Sequence, residues 1–250
     1  MCARFRRATA HQFSGRSRAG EVHYSEQSDE FGPGNRKGAA VRLEWTRSFE
    51  LMVGDPEDTP MAITYEQAEG KMHEWTESPA LRNHARAVEA AMRRAAHRYG
   101  ACEADEPRWA MAGLLHDADY DRWPEEHPKL IIAWLREQGE PEIAQAVEAH
   151  FDASTIPELT MLDKALLACD ELAGFVMACC MVRPDGIHSL APSSVKKKLK
   201  DKAFAAKVNR DDVYQGAERL GANLDEHIQL VIDALKPHAD ALGIAGSQRS

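Results

Sequence analysis

Apolar residues recur at helical spacing along most of the chain after residue 60, and strand-like alternation is nearly absent there. Positions three, four and seven residues apart share one face of a helix, so this pattern indicates amphipathic helices packed around a core. Glycine and proline interrupt the pattern at intervals. We therefore predict an all-α fold, with helices that begin near Thr64 and then span about 79–99, 107–117, 128–137, 141–150, 160–182, 194–200, 211–220 and 224–235.

Local sequence signals mark several of these helix ends. Thr64 and Gln67 match a capping box, in which each side chain accepts a hydrogen bond from the other residue's backbone. Pro79 after Ser78 suits the first position of a helix, where a missing N–H group costs little. The Arg-Pro-Asp-Gly run at 183–186 ends the long apolar helix that precedes it.

The first 60 residues have a different composition from the remainder. Residues 1–20 contain five arginines and no acidic residue. This is typical of an organellar transit peptide, and it equally fits an upstream extension before a start at Met61. Alternating apolar residues over 41–53 indicate a short hairpin. We predict an irregular N-terminal extension over 1–60, a helical domain over 61–240 and a flexible tail over 241–250.

Composition narrows the class of protein. A chain of 250 residues suits one domain with an additional terminal segment, and 44% hydrophobic residues are enough for a buried core. No apolar run approaches the roughly 20 residues of a membrane span, and a net charge of -9 argues against binding a nucleic-acid polymer. The five cysteines show no Cys-x-x-Cys spacing, which favours reduced thiols in a cytoplasmic protein.

The pair His116-Asp117 directly follows the apolar run Ala112–Leu115 and is the first candidate for chemistry. Neighbouring residues on a helix point about 100° apart, so an imidazole and a carboxylate at this place need a common partner. A divalent cation satisfies both groups. His-Asp pairs also arise by chance, so the interpretation depends on what else reaches the same point.

Three more polar residues lie on apolar helix faces: His84, His150 and Asp170. A lone inward histidine is more often hydrogen-bonded in the core than a ligand, and Asp170 alone could cap a helix or pair with Arg86. A buried carboxylate without a partner is costly, however. The order His, His-Asp, Asp over three core helices favours one shared metal ion.

These residues resemble the HD-domain phosphohydrolase superfamily, in which two His and two Asp on a helical bundle hold a divalent cation. The similarity points to one bacterial branch, covers about 61–236 and implies an HD-domain helical bundle with a metal site in the core. It is carried by the segments His84–Met92, Gly113–Tyr120, Glu126–Pro128, Asp170–Gly174, Val182–Pro184, Ser194–Lys198 and Phe204–Ala206.

The resemblance implies that the metal ligands are His84, His116, Asp117 and Asp170. His127 and His150 correspond to histidines that bind a second metal or the substrate phosphate in some members. Phe151 stands where some two-metal branches carry another histidine, which favours one ion. Nitrogen and carboxylate ligands without thiolate favour Mn²⁺, Fe²⁺, Co²⁺ or Ni²⁺, with Zn²⁺ and Mg²⁺ as alternatives.

The activity implied is metal-dependent hydrolysis of a small phosphorylated substrate, a phosphomonoester or phosphodiester plausibly derived from a nucleotide. The ion, held in place by Asp117 among its ligands, would acidify a water molecule and polarise the P–O bond. Asp119 and Asp121 are candidates for the proton acceptor, although both also fit solvated loop positions. His127 or His150 would bind the phosphate or protonate the leaving oxygen.

The strongest charge cluster lies near the end of the chain. Lys196, Lys197 and Lys198, together with Arg183, are candidates for binding an anionic substrate. A solvated helix face is the alternative for the lysines.

Three rival functions remain open. The first is a catalytically silent HD-domain sensor that binds a nucleotide or a partner protein. The second is a plain helical interaction domain whose inward histidines and aspartates pair with one another. A metal oxygenase is disfavoured because such members carry more histidines.

Overall fold

The computed structural model describes residues 62–246 except residues 101 and 104, and within them the fold is all-α, as predicted. The predicted extension over 1–60, including its hairpin, lies outside the described residues. The described helices are α1 Tyr65–Trp75, α2 Pro79–Tyr99, α3 Asp105–Leu115, α4 Lys129–Glu137, α5 Pro141–Phe151, α6 Met161–Met181, α7 Pro192–Leu199, α8 Arg210–Leu220 and α9 Leu224–Leu235. Two short 3₁₀ turns follow α5 and α9, at Ala153–Thr155 and Lys236–His238.

The long helix α6 is the centre of the bundle. It packs against α2, α3, α5, α7, α8 and α9, and Leu166, Leu172 and Phe175 on it are fully buried. A helix that is apolar on nearly all sides needs neighbours on all sides. Its start is a capping box formed by Thr160 and Asp163, and Asp170 lies in its middle between the buried Cys169 and Leu172.

Helices α2 and α3 form the closest pair. A Cβ atom on Gly113 would stand 2.9 Å from backbone atoms of Val88 and Glu89, so only glycine permits this approach. Small residues such as Ala87 and Ala91 face the same interface, and both are buried. The approach brings the chain after α3 next to the first turns of α2.

Most predicted helix ends agree with the structure, and α3 is the instructive exception. It begins at Asp105, two residues before Pro107, and ends at Leu115. His116 and Asp117 therefore lie in the turn after the helix, where neighbouring side chains are not forced 100° apart. This turn lets both residues face one point.

Side chains from distant parts of the chain fix the start of the domain. The Thr64–Gln67 capping box is present as predicted. Ser78 makes no side-chain cap for α2; instead the Asp121 carboxylate accepts hydrogen bonds from the N–H groups of Glu77 and Ser78, each at 2.8 Å. The first residues of the domain are held in place mainly by such tertiary hydrogen bonds.

Residues 241–246 pack onto the bundle, contrary to the flexible tail predicted from 241. Leu242 and Ile244 are buried, and the Ile244 carbonyl accepts a hydrogen bond from Ile187 N–H at 2.9 Å. The burial of these two apolar side chains offsets part of the chain entropy that the segment loses. Within the described residues, no helix has the length and apolar character that crossing a membrane requires.

Candidate metal centre

The predicted ligands converge from three parts of the fold. His84 lies on α2, His116 and Asp117 in the turn after α3, and Asp170 in the middle of α6. The Asp170 Oδ1 atom is 2.8 Å from His84 Nε2 and 3.3 Å from His116 Nε2. The Asp117 Oδ2 atom lies 3.4 Å from the same His116 nitrogen. Residues up to 86 positions apart in the sequence thus share one point.

The spacing of these atoms suits a single cation. One ligand atom from each of His84, His116 and Asp117 lies within 4.8 Å of the others, and the same holds for His116, His150 and Asp170. Ligand atoms bound about 2.1 Å from an ion stand at most about 4.2 Å apart, so small shifts would complete the coordination. Both groups include His116, whose side chain is 0% exposed.

The protonation of His116 provides the test of whether a cation fits. Its Nδ1 atom lies 2.8 Å from the Gly113 carbonyl, which can only accept, so Nδ1 carries a proton. The Nε2 atom is buried without a hydrogen-bond partner, yet it faces oxygens of Asp117 and Asp170. A lone pair aimed at two carboxylates is unfavourable unless a proton or a cation lies between them. The donor set therefore fits a divalent ion.

The pKa shifts of the histidine and the two carboxylates also show that this site favours positive charge. Burial opposes the charge of His116, but the carboxylates of Asp117 and Asp170 outweigh it and raise the pKa of His116 well above its usual range. Burial likewise acts against the charge of Asp117 and Asp170, but His116 outweighs it and lowers the pKa of both carboxyls. Two ionised carboxylates around a buried histidine form a site that binds a cation strongly.

The side chains of His127 and His150 also approach the cluster, and both face the second carboxylate oxygen of Asp117. The Asp117 Oδ1 atom is 3.4 Å from His127 Nε2 and 3.9 Å from His150 Nε2. His150 Nε2 also lies 3.2 Å from Asp170 Oδ2 and is buried without a hydrogen-bond partner. Burial lowers the pKa of His150, which favours a neutral ring able to bind a metal or accept a proton.

Asp119 and Asp121, the candidates for proton acceptor, both have other partners. Asp119 is fully buried; one oxygen lies 2.7 Å from His127 Nδ1, and the other accepts the backbone N–H groups of Leu130 and Ile131. Asp121 holds the turn before α2, as described above. Asp119 thus orients His127, and Asp121 supports the fold.

The predicted phosphate-binding cations lie elsewhere. Arg183, Lys197 and Lys198 line a cavity of about 400 Å³ together with Cys179. Cys179 is on α6, about 13 Å further along the helix axis than Asp170. Lys196 pairs with Asp225 at 2.7 Å. The structure therefore does not bring these four cations to the histidine–aspartate cluster.

Three residues near the cluster escaped the sequence reasoning. The rings of Tyr120 and Phe151 lie 5.4 and 5.8 Å from that of His127, centroid to centroid, and both are exposed. Burial, then the neighbouring Asp170, raises the pKa of Glu171 to about 7. The sequence could have indicated them only by their position, since each directly follows a residue of the cluster.

Fold and site together define an all-α protein with a candidate metal centre in its core. The HD domain family model matches residues 81–175, a segment that includes the four predicted ligands. The segment 81–175 is therefore an HD domain. Neither the curated proteins nor the solved structures gave a match to the chain.

Proposed function

We propose that the protein is a metal-dependent phosphohydrolase that cleaves a phosphomonoester or phosphodiester of a small substrate, such as a nucleotide derivative. The observation that carries the proposal is the buried His116 Nε2, which has no hydrogen-bond partner and faces two carboxylates. That arrangement requires a proton or a cation between the nitrogen and the carboxylates, and the charge of two carboxylates suits a divalent cation. The HD domain over residues 81–175 supports the same class of reaction.

One divalent cation would be held by His84, His116, Asp117 and Asp170, the set that meets around Asp170 Oδ1 and Asp117 Oδ2. The absence of thiolate favours Mn²⁺, Fe²⁺, Co²⁺ or Ni²⁺, with Zn²⁺ and Mg²⁺ as alternatives. When bound, such an ion supplies Lewis acidity that activates water and polarises a phosphoryl oxygen.

The chain's own contribution to proton transfer is centred on His127. The buried Asp119 carboxylate accepts its Nδ1 proton, so Nε2 is free to face the cluster beside Asp117. A histidine oriented by a buried carboxylate is suited to move a proton to or from a reacting oxygen. We propose that His127 protonates the leaving oxygen, and that His150 binds the phosphate.

The deciding experiment is a screen for released phosphate across phosphorylated metabolites, with each divalent cation added in turn. His116→Ala and Asp117→Ala should abolish both metal content and turnover. His97→Ala is the matched control, because His97 is an exposed histidine on the same helix as His84 and pairs with Glu106. Absence of phosphate release from every substrate by the metal-loaded protein would contradict the proposal.

A catalytically silent sensor is the second candidate, and one observation favours it. Both carboxylates predicted as proton acceptors already hold backbone N–H groups. A sensor would bind a cation and a nucleotide without releasing phosphate. The same screen, repeated with equilibrium binding as the readout, separates the two functions.

A further inference from the structure

Two exposed aromatic side chains lie at the rim of the candidate metal centre. Phe151 is 62% exposed and Tyr120 is 46% exposed. Among the described residues, the other exposed large apolar side chains are Met161, Met181, Val182 and Tyr214. A single exposed apolar side chain is ordinary, but these two lie beside the same histidine of the cluster, His127.

Both rings contact the same residue of the cluster. Their planes stand 85° and 81° from the plane of the His127 ring, so neither lies flat on the imidazole. The Nε2 atom of His127 is in turn 3.4 Å from Asp117 Oδ1. Each aromatic side chain is therefore separated from a predicted metal ligand by one histidine ring.

The backbone gives both side chains a fixed relation to the cluster. Tyr120 directly follows the buried Asp119, which three hydrogen bonds hold in place. Phe151 is the last residue of α5 and directly follows His150. Two rings on rigid supports, each in contact with His127, can hold a flat group without a large loss of entropy.

We propose that Tyr120 and Phe151 form a subsite for the nucleobase of a nucleoside monophosphate whose phosphate is at the metal centre. This inference rests on the proposed function for the phosphate end of the substrate. A base stacks its face on an aromatic ring while its polar edges stay in water, which suits two half-exposed rings better than an aliphatic chain would. Stacking does not depend on the pattern of hydrogen-bond donors and acceptors on a base, so the subsite would accept several bases.

The test compares two phosphomonoesters, a purine nucleoside monophosphate and glycerol phosphate, of which only the first carries a planar base. For Phe151→Ala, we expect the ratio of kcat/KM for the nucleotide to that for glycerol phosphate to fall about tenfold, mainly through KM. Phe151→Tyr should restore the ratio because it keeps a ring. Met181→Ala truncates an equally exposed side chain, about 16 Å further along α6 than Asp170, and should leave the ratio unchanged.

The possible outcomes separate this inference from the proposed function. If the wild-type protein hydrolyses both esters and Phe151→Ala changes them equally, the subsite is wrong and the phosphohydrolase stands. If it hydrolyses neither, the phosphohydrolase is judged by the wider screen for released phosphate, and calorimetric binding to the Mn²⁺-loaded protein decides on the subsite. Tighter binding of the nucleotide than of inorganic phosphate, weakened in Phe151→Ala, supports it; equal binding of the two overturns it.

Discussion

The carboxylate of Asp119 lies 2.7 Å from Nδ1 of His127 and, through its second oxygen, accepts two N–H groups at the start of α4. The imidazole and the beginning of a helix are thus tied to one buried acid. The proton on Nδ1 is fixed by this contact, since an ionised carboxylate can only accept. Asp119 is consequently a positioning residue, and its effect on chemistry passes through His127.

Replacing Asp119 by Asn should lower kcat/KM about 10- to 100-fold, because a neutral amide stabilises the protonated imidazole that gives its Nε2 proton to the leaving oxygen much less than a carboxylate does. Metal content should remain stoichiometric, as measured by elemental analysis. In a His127→Ala background, the same substitution should have little further effect on turnover. Independent, additive losses in the double variant would show that Asp119 acts through the fold alone.

Chelation should destabilise the protein. A ligand that binds only the folded state, present at about 100 times its Kd, adds about 2.7 kcal/mol to the free energy of unfolding. We therefore expect EDTA to lower the Tm, measured by circular dichroism, and Asp170→Asn to remove the response to EDTA. An unchanged Tm with EDTA would favour the plain helical interaction domain, in which His84 and Asp170 simply pair with each other.

The all-α architecture could be predicted from the sequence because the signals for each helix lie within that helix and its caps. The period of apolar residues places α6, and the Thr64–Gln67 capping box places the start of α1. These effects act within a few residues of the chain. The same locality explains the error at the C-terminus, where the burial of Leu242 and Ile244 depends on a tertiary surface that no local pattern describes.

The candidate site was predictable only in part. His84, His116, Asp117 and Asp170 share a pattern that sequence reasoning can find, and the structure brings them together. Asp121 and the lysines illustrate the limit, since a charged residue near a motif in the sequence need not face the site. Hydrogen bonds between residues more than 40 positions apart, such as those of Asp121, become visible only in three dimensions.

Without metal, the protein should lose stability as the pH rises from about 7 to 9. The Asp117 and Asp170 carboxylates raise the pKa of His116 despite its burial, and burial raises that of Glu171 to about 7. A group whose folded-state pKa is raised stabilises the fold fully below its unfolded pKa and loses that contribution as the pH rises through the folded value. The lowered pKa values of Asp117 and Asp170 act only at more acidic pH. Burial lowers the pKa of His150 and His227, which stabilises the fold as the pH rises to about 6.5 and has no further effect above pH 7.

Urea denaturation in EDTA at several pH values measures this slope. Glu171→Gln should make the slope shallower, because it removes one of the two raised groups and leaves His116 in place. With metal bound, the stability should depend less on pH over the same window, since the cation replaces the proton on His116. A metal-free protein that becomes more stable toward pH 9 would contradict the assigned shifts.

The close approach of α2 and α3 should be essential for metal binding. In Gly113→Ala, a Cβ atom would meet the backbone of Val88 and Glu89 at 2.9 Å, so the helices must separate. Overpacking of this kind costs about 1–3 kcal/mol, and it would move the turn that carries His116 away from His84. We expect a lower Tm and weaker Mn²⁺ binding, measured by calorimetry.

Gly70→Ala on α1 is the matched control, because nothing lies within 4 Å of its added Cβ. This substitution should stabilise the helix by about 0.5–1 kcal/mol and leave the metal affinity unchanged. Equal metal affinity in both variants would mean that the centre tolerates separation of α2 and α3.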